Sequence, residues 1–203
     1  EQVDRYRWLP YQTGQADGTK GDARPLGEPG SRFEYNDVRM NRLALSLLRL
    51  WQRPLPDVLK TEIMDPIGAS NTWRYIPYDN AFVDVNGTMM GSVSGGTRWG
   101  GGLWMDSLDH ARFGLLISRD GNWNGTQLLD SNYVKEATSV SNLLDEDGNK
   151  NVNYGYQFWI ANRKGLDVYY TRGLWGQYVI CIPEKDMIIV RLGRNYGFHL
   201  EDG

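Results

Sequence analysis

One cysteine, Cys181, and two histidines, His110 and His199, are all that 203 residues provide of the usual soft metal ligands. A lone thiol excludes an intrachain disulfide framework and every cysteine cluster, so zinc-finger and iron–sulfur readings fall away. The histidines stand too far apart for a His-x-x-x-His pair, and no Asp/Glu pattern surrounds them. His110, beside Asp109, reads as a solvated or locally bonded side chain. No metal and no organic cofactor is implied. An excess of basic charge is missing too: Lys+Arg number 22 against 25 Asp+Glu, a formal net charge of -3. Nucleic-acid partners, which call for a basic stripe, are therefore not expected. No run approaches the ~18 apolar residues of a membrane span; the suggestive run Met187 to Val190 has the length of a short strand. The opening Glu1-Gln2-Val3-Asp4 is no signal peptide, and without an initiator Met the sequence reads as starting inside a longer protein.

What is present is enough for a core. A 40% hydrophobic and 12% aromatic composition suits one domain or a large piece of one. Residues 1–30, rich in Gly, Pro, Asp and Thr, carry neither helical nor strand periodicity and read as an extended surface segment closed by the turn Gly27-Glu28-Pro29-Gly30. From Asp37, Met40, Leu43, Ala44, Leu47, Leu48 and Trp51 recur at helical spacing until Pro54. Pro56 opens a second helix over Asp57 to Met64, stopped by Pro66 and Gly68. Residues 69–104 look short-stranded, with Asn86-Gly87 as a tight turn. Ser107 is the expected N-cap of a helix near Leu108 to Ser118, and Asp130 or Ser131 that of a shorter one near Tyr133 to Ala137. After the polar break Asp145 to Lys150, strands are expected at Tyr154 to Ile160, Val168 to Thr171, Gln177 to Ile182 and Met187 to Leu192. The short turns between them imply antiparallel neighbours. Helices first and an antiparallel sheet afterwards make an α+β pattern.

Three stretches offer chemistry. In Phe33-Glu34-Tyr35-Asn36-Asp37 a tyrosine meets the start of a helix, where oriented N–H groups favour a phenolate. Tyr35 reads as a packing tyrosine beside an Asp37 N-cap, with a base as the functional alternative. In Thr171-Arg172-Gly173-Leu174-Trp175-Gly176-Gln177, between two strands, glycines let a substrate approach the backbone and an N–H such as that of Leu174 face an oxyanion. A plain Gly-rich hairpin bend explains the same residues. The third, Ser94 to Gly102, lacks the Gly-Lys-Ser/Thr ending of a phosphate loop and reads as a close backbone crossing. No Gly-x-Ser-x-Gly elbow occurs.

Read in order, five stretches carry a resemblance: Pro29-Gly-Ser-Arg-Phe-Glu-Tyr35-Asn-Asp37, Ile63-Met-Asp-Pro-Ile-Gly-Ala-Ser-Asn-Thr-Trp73, Gly100-Gly-Gly-Leu-Trp-Met-Asp-Ser-Leu-Asp-His-Ala-Arg-Phe-Gly114, Gly173-Leu-Trp-Gly-Gln-Tyr178 and Pro183-Glu-Lys-Asp. From about Pro25 to Leu192 the chain resembles the serine β-lactamases and penicillin-recognising hydrolases, especially the class C β-lactamase-like esterases and amidases. The resemblance implies a β-lactamase/transpeptidase-like fold and hydrolysis of an ester or amide through an acyl-enzyme. It implies that Tyr35 is the tyrosine of the Tyr-x-Asn motif, with Asp37 where Asn is usual. Thr171-Arg172-Gly173 stands for the Lys-Thr-Gly or His-x-Gly triplet of the substrate cradle, and Leu174 supplies the second oxyanion N–H. Arg172 and Trp175 would receive a carboxylate beside an apolar group.

The departures matter. A carboxylate at Asp37 only accepts hydrogen bonds and pairs with a lysine, where an amide also donates. Thr171 removes a cation from the cradle. None of the ten serines has a lysine three residues on, so Ser-x-x-Lys, which carries the family's nucleophile, is absent. The cover helix expected after the last strand is also not evident in Arg194 to Gly203. The expectation is therefore that residues 1–203 are the C-terminal portion of one serine hydrolase domain, helical over about 1–140 and a sheet over about 151–193. Its expected partners are a small-molecule ester or amide and an N-terminal segment or companion chain carrying Ser-x-x-Lys. A periplasmic or secreted location follows from the resemblance alone. The competing expectation, motivated by Asp37 and Thr171, is a non-catalytic binding or scaffold protein that keeps the fold.

Overall fold

A computed structural model describes residues 12–14, 22–24, 28, 30–35, 37–77, 81–93, 102–145, 147–173 and 175–193. Within residues 1–30, read as plain extended chain, β1 (Gln12–Gly14) pairs antiparallel with β2 (Asp22–Arg24). Helix α1 runs Asp37–Trp51, and α2 (Leu55–Leu59) continues into a π-helical turn, Lys60–Met64. Short strands follow: β3 (Arg74–Tyr75), β4 (Phe82–Val85), β5 (Thr88–Gly91) and β6 (Leu103–Trp104). Then come α3 (Ser107–Ser118), β7 (Asn122–Trp123), β8 (Thr126–Gln127), α4 (Ser131–Ala137), β9 (Trp159–Arg163), β10 (Leu166–Gly173), β11 (Gln177–Ile182) and β12 (Met187–Arg191). The α+β class is as expected.

The chain divides into two compact units, Glu1–Thr61 with Arg74–Trp104, and Glu62–Trp73 with Met105–Gly203. In the first, Leu45 and Leu48 of α1 pack with Val83 and Val85 of β4, and Met90 covers the cluster. The inward stripe is thus Asn41, Leu45 and Leu48, which shares Leu48 with the expected set, because α1 is apolar on two sides. Leu43, Leu47, Leu50 and Trp51, from the second side, are exposed.

In the second unit four strands lie in the order β12-β11-β10-β9, every neighbour antiparallel and consecutive in sequence. One face gathers Val168, Tyr170, Tyr178 and Ile180, with Trp159, Ala161, Leu166 and Ile182 packed against them. On the other face α3 lies close enough that only a glycine fits at position 114. A Cβ there would meet Ile188 Cγ2 and Val179 Cγ1 at 2.9 Å.

Three hairpins share one turn design. Residues at left-handed φ, Asn86, Asn124 and Lys164, precede Gly87, Gly125 and Gly165. Each glycine N–H donates to an Asx side chain three residues back, namely Asp84, Asn122 and Asn162. The last of these sets the β9–β10 turn at Lys164-Gly165, with Arg163 still in the strand. The expected strand from Tyr154 begins instead at Trp159. Gln157 stands at φ 66°, and the N–H of Tyr156 donates to the Ala137 carbonyl at 2.9 Å, so 154–158 forms a knot beside α4 rather than a ladder. The cap of α3 is Asp106, one residue ahead of expectation, its carboxylate accepting from the Asp109 N–H at 2.9 Å. Asp130 caps α4 in the same way through the Tyr133 N–H.

Candidate active site

Tyr35 and Asp37 lie in the first unit. The turn at Glu28 to Ser31, closed by a 3.1 Å bond from the Ser31 N–H to the Glu28 carbonyl, brings the chain into α1. Arg32 and Glu34 form an ion pair at 3.5 Å, with the Glu34 side chain nearly covered. That pair holds the segment ahead of the helix, and Tyr35 follows it, half exposed at 49%. Asp37 is the first helical residue. Tyr35 therefore stands two residues before a helix N-terminus, whose unsatisfied N–H groups favour negative charge.

The triplet lies in the second unit, at the end of β10. Thr171 pairs with Val179, Arg172 with Tyr178 and Gly173 with Gln177, where the ladder ends. Strand alternation puts Arg172 on the face of Tyr170 and Tyr178, and Thr171 and Gly173 on the other. The Arg172 guanidinium carbon sits 5.9 Å from the ring centre of Trp159, a cation–π distance. Trp175, in the turn beyond, is 48% exposed and adopts φ 62°, and Gly176 follows at φ 79°. A non-glycine residue in that region is uncommon and costs about 1–2 kcal/mol, so its surroundings must impose it. Leu174 and most of the Ser94 to Gly102 stretch lie outside the described residues.

Two arrangements carry no obvious sequence signal. Asp109, fully buried in α3, accepts from the Ser70 N–H at 3.0 and 3.1 Å, from the Ser70 hydroxyl at 2.6 Å and from Arg112 at 2.8 Å. Burial pushes its carboxyl up, but the hydrogen bonds from Ser70 and Arg112 outweigh that and leave it below the ordinary 3.8. The Asp106–Asp109–Arg112 spacing of three was the only hint. His110, its neighbour, bonds locally through Nδ1 to the Asp106 carbonyl at 2.9 Å. The second arrangement, around Gln177, Arg191 and Gly193, braces the turn after β10.

Among the described residues no group of three or more His, Cys, Asp and Glu side chains is placed to hold a metal ion. Also among them, no helix is long and apolar enough to cross a membrane. A shallow recess of about 290 Å³ opens between α3 and β12, lined by Leu108, Ala111, Arg112, Leu115 and Ile188. None of the residues singled out for chemistry lines it.

A family profile described as Beta-lactamase matches residues 4–196. Two curated Mycobacterium tuberculosis proteins, the uncharacterized protein MT1414 of strain CDC 1551 and protein Rv1367c of strain H37Rv, are each 24% identical over 156 residues. That is 70% of this chain and 38% of either relative, so the chain spans well under half the length of the curated proteins it matches. Among solved structures, a candidate 6-aminohexanoate-dimer hydrolase from Bacillus anthracis superposes with a TM-score of 0.66 at 24% identity, over 89% of this chain and 43% of that one. A candidate beta-lactamase from Bacteroides dorei gives 0.63 at 18% identity, over 90% and 56%. The octameric penicillin-binding protein homologue from Pyrococcus abyssi gives 0.62 at 19% identity, over 97% and 48%. At these identities the likeness is one of fold.

Proposed function

The chain belongs to the Beta-lactamase family and has its β-lactamase/transpeptidase-like fold of helices and antiparallel sheet, and from that premise we propose that the protein is a serine hydrolase opening an ester or amide through an acyl-enzyme. Two features, each within its own unit, support the reading: a half-exposed tyrosine at the head of a helix, and, later in the sequence, a Thr-Arg-Gly strand end that leads into a left-handed turn.

The nucleophilic serine belongs to a Ser-x-x-Lys segment outside these 203 residues. Its oxygen attacks the substrate carbonyl carbon while Tyr35, with that lysine, takes the hydroxyl proton. The Leu174 N–H and the nucleophile's own N–H stabilise the tetrahedral oxyanion. The scissile bond breaks as the leaving group receives the proton, and a water then splits the acyl ester and restores the serine. Asp37 pairs with the lysine. At Gly173 the missing side chain makes way for that of Gln177, whose Cβ would stand 3.1 Å from a Cβ there; Thr171 offers the substrate a hydroxyl, and Trp175 forms an apolar wall. Arg172, over Trp159, stiffens the same strand end. An amide substrate is in keeping with the name of one structural neighbour.

A fluorophosphonate probe applied to the full-length protein from its native host tests the proposal. Covalent labelling of a serine followed three residues later by a lysine is the expected result. Binding of a β-lactam or linear amide without labelling would overturn it in favour of a non-catalytic binder, the reading that Asp37 and Thr171 motivate.

A further inference from the structure

The β10–β11 turn is held from outside by three side-chain hydrogen bonds that the ladder does not supply. The β11–β12 ladder ends at Tyr178 opposite Arg191. Beyond it, the side-chain amide of Gln177 takes the place of a backbone pair: its Nε2 donates to the Gly193 carbonyl at 2.6 Å, and the Gly193 N–H donates to its Oε1 at 3.1 Å. Arg191 reaches the other way, its Nη1 donating to the Gly176 carbonyl at 2.5 Å. Gly193 lies so close that a Cβ there would stand 2.5 Å from the Trp175 carbonyl oxygen, so the turn is pressed against bare backbone. Among the described residues inside the turn there is one long bond, from the Gly176 N–H to the Gly173 carbonyl at 3.3 Å. That bond alone is too weak to maintain Trp175 at φ 62°.

We propose that Gln177 and Arg191 are positioning residues: they fix the left-handed Trp175-Gly176 turn at the end of β10, beside which the hydrolase reading places the substrate. The inference rests on the hydrolase reading for its functional half and on hydrogen bonding alone for its structural half. A turn whose peptide groups are aimed in advance stabilises charge developing in the transition state without reorganising. Loosening it lowers turnover while leaving ground-state binding nearly intact.

The test uses the full-length protein and the variants Gln177→Ala, Arg191→Ala and Arg191→Lys. Hydrogen exchange of the segment spanning 173–177 is read against exchange in β9 to β12, and kcat and KM are measured with p-nitrophenyl butyrate and nitrocefin. Each alanine variant is expected to raise exchange in the turn by about tenfold, the equivalent of one lost hydrogen bond, with the strands unchanged. It is also expected to lower kcat by about 10–100-fold with KM within about twofold. Arg191→Lys, which keeps a charged donor, restores part of both. Unchanged exchange in the turn overturns the bracing itself. Raised exchange with unaltered kcat overturns the functional role. No hydrolysis by the unmodified protein brings down the hydrolase reading and the role with it, while exchange still decides whether the brace exists.

Discussion

The Ser70 hydroxyl donates a 2.6 Å hydrogen bond to Oδ2 of Asp109, 39 residues further along the chain, and the same carboxylate takes the Ser70 N–H. Ser70 lies in the loop after the π-turn and Asp109 in α3, so a fully buried charge ties a loop to a helix. Arg112 completes the set at 2.8 Å.

The carboxyl of Asp109 is lowered below 3.8 by these bonds, so its contribution to stability is present above that value and lost as pH falls through the lowered one. Asp109→Asn is expected to lower stability at pH 7 by about 3 kcal/mol, as for breaking a buried, hydrogen-bonded charge. The gap to the unmodified protein should close as pH drops below 3.8. Thermal midpoints between pH 7 and pH 2.5 measure both. A gap that does not narrow would refute the linkage.

Gly114 gives a prediction whose sign is informative. Glycine to alanine within a helix normally stabilises by about 1 kcal/mol. Here the new methyl would lie 2.9 Å from both Ile188 and Val179, and Gly114→Ala should instead destabilise by about 1–3 kcal/mol. Urea midpoints decide. Adding Val179→Ala should recover part of the loss if close packing is the cause.

Cys181 is buried at 2% exposure, and burial pushes its thiol up to about 12. Iodoacetamide at pH 8 should leave the native protein unmodified over hours and react within minutes in denaturant. Because labelling then reports opening of the sheet against α3, Gly114→Ala should accelerate it.

Tyr35→Phe removes only a hydroxyl from a half-exposed ring. On the proposed hydrolase reading, ester hydrolysis by the full-length protein should fall by about 10²–10⁴-fold, the usual contribution of a general base, with stability changed by about 1 kcal/mol or less. Near-normal turnover would remove Tyr35 from the mechanism.

The legible parts of the sequence were those set by local chemistry. Pro54 ended α1, Asp130 capped α4, and the alternation and turns of the last fifty residues gave the sheet, because each signal acts within a few neighbours. Tyr154 to Phe158 misled, since the alternating aromatics look like a strand while contacts with the end of α4 decide the path. α1 misled in its facing, because two apolar stripes compete and periodicity cannot rank them. Of the proposed site, Tyr35 and Thr171-Arg172-Gly173 were picked out by motif order alone. Asp109 and Gln177 were not, because partners 39 and 16 residues away give a polar side chain its meaning.

The sheet of the second unit is a plain meander, each strand bonded to the one before it in sequence. Every loop it closes is short, so little chain entropy opposes its formation, and contacts this local favour rapid assembly. The Gly173-to-Gly176 turn is thus built on the part of the molecule least dependent on distant sequence for its timing. During synthesis it would take shape as soon as the last strand emerged.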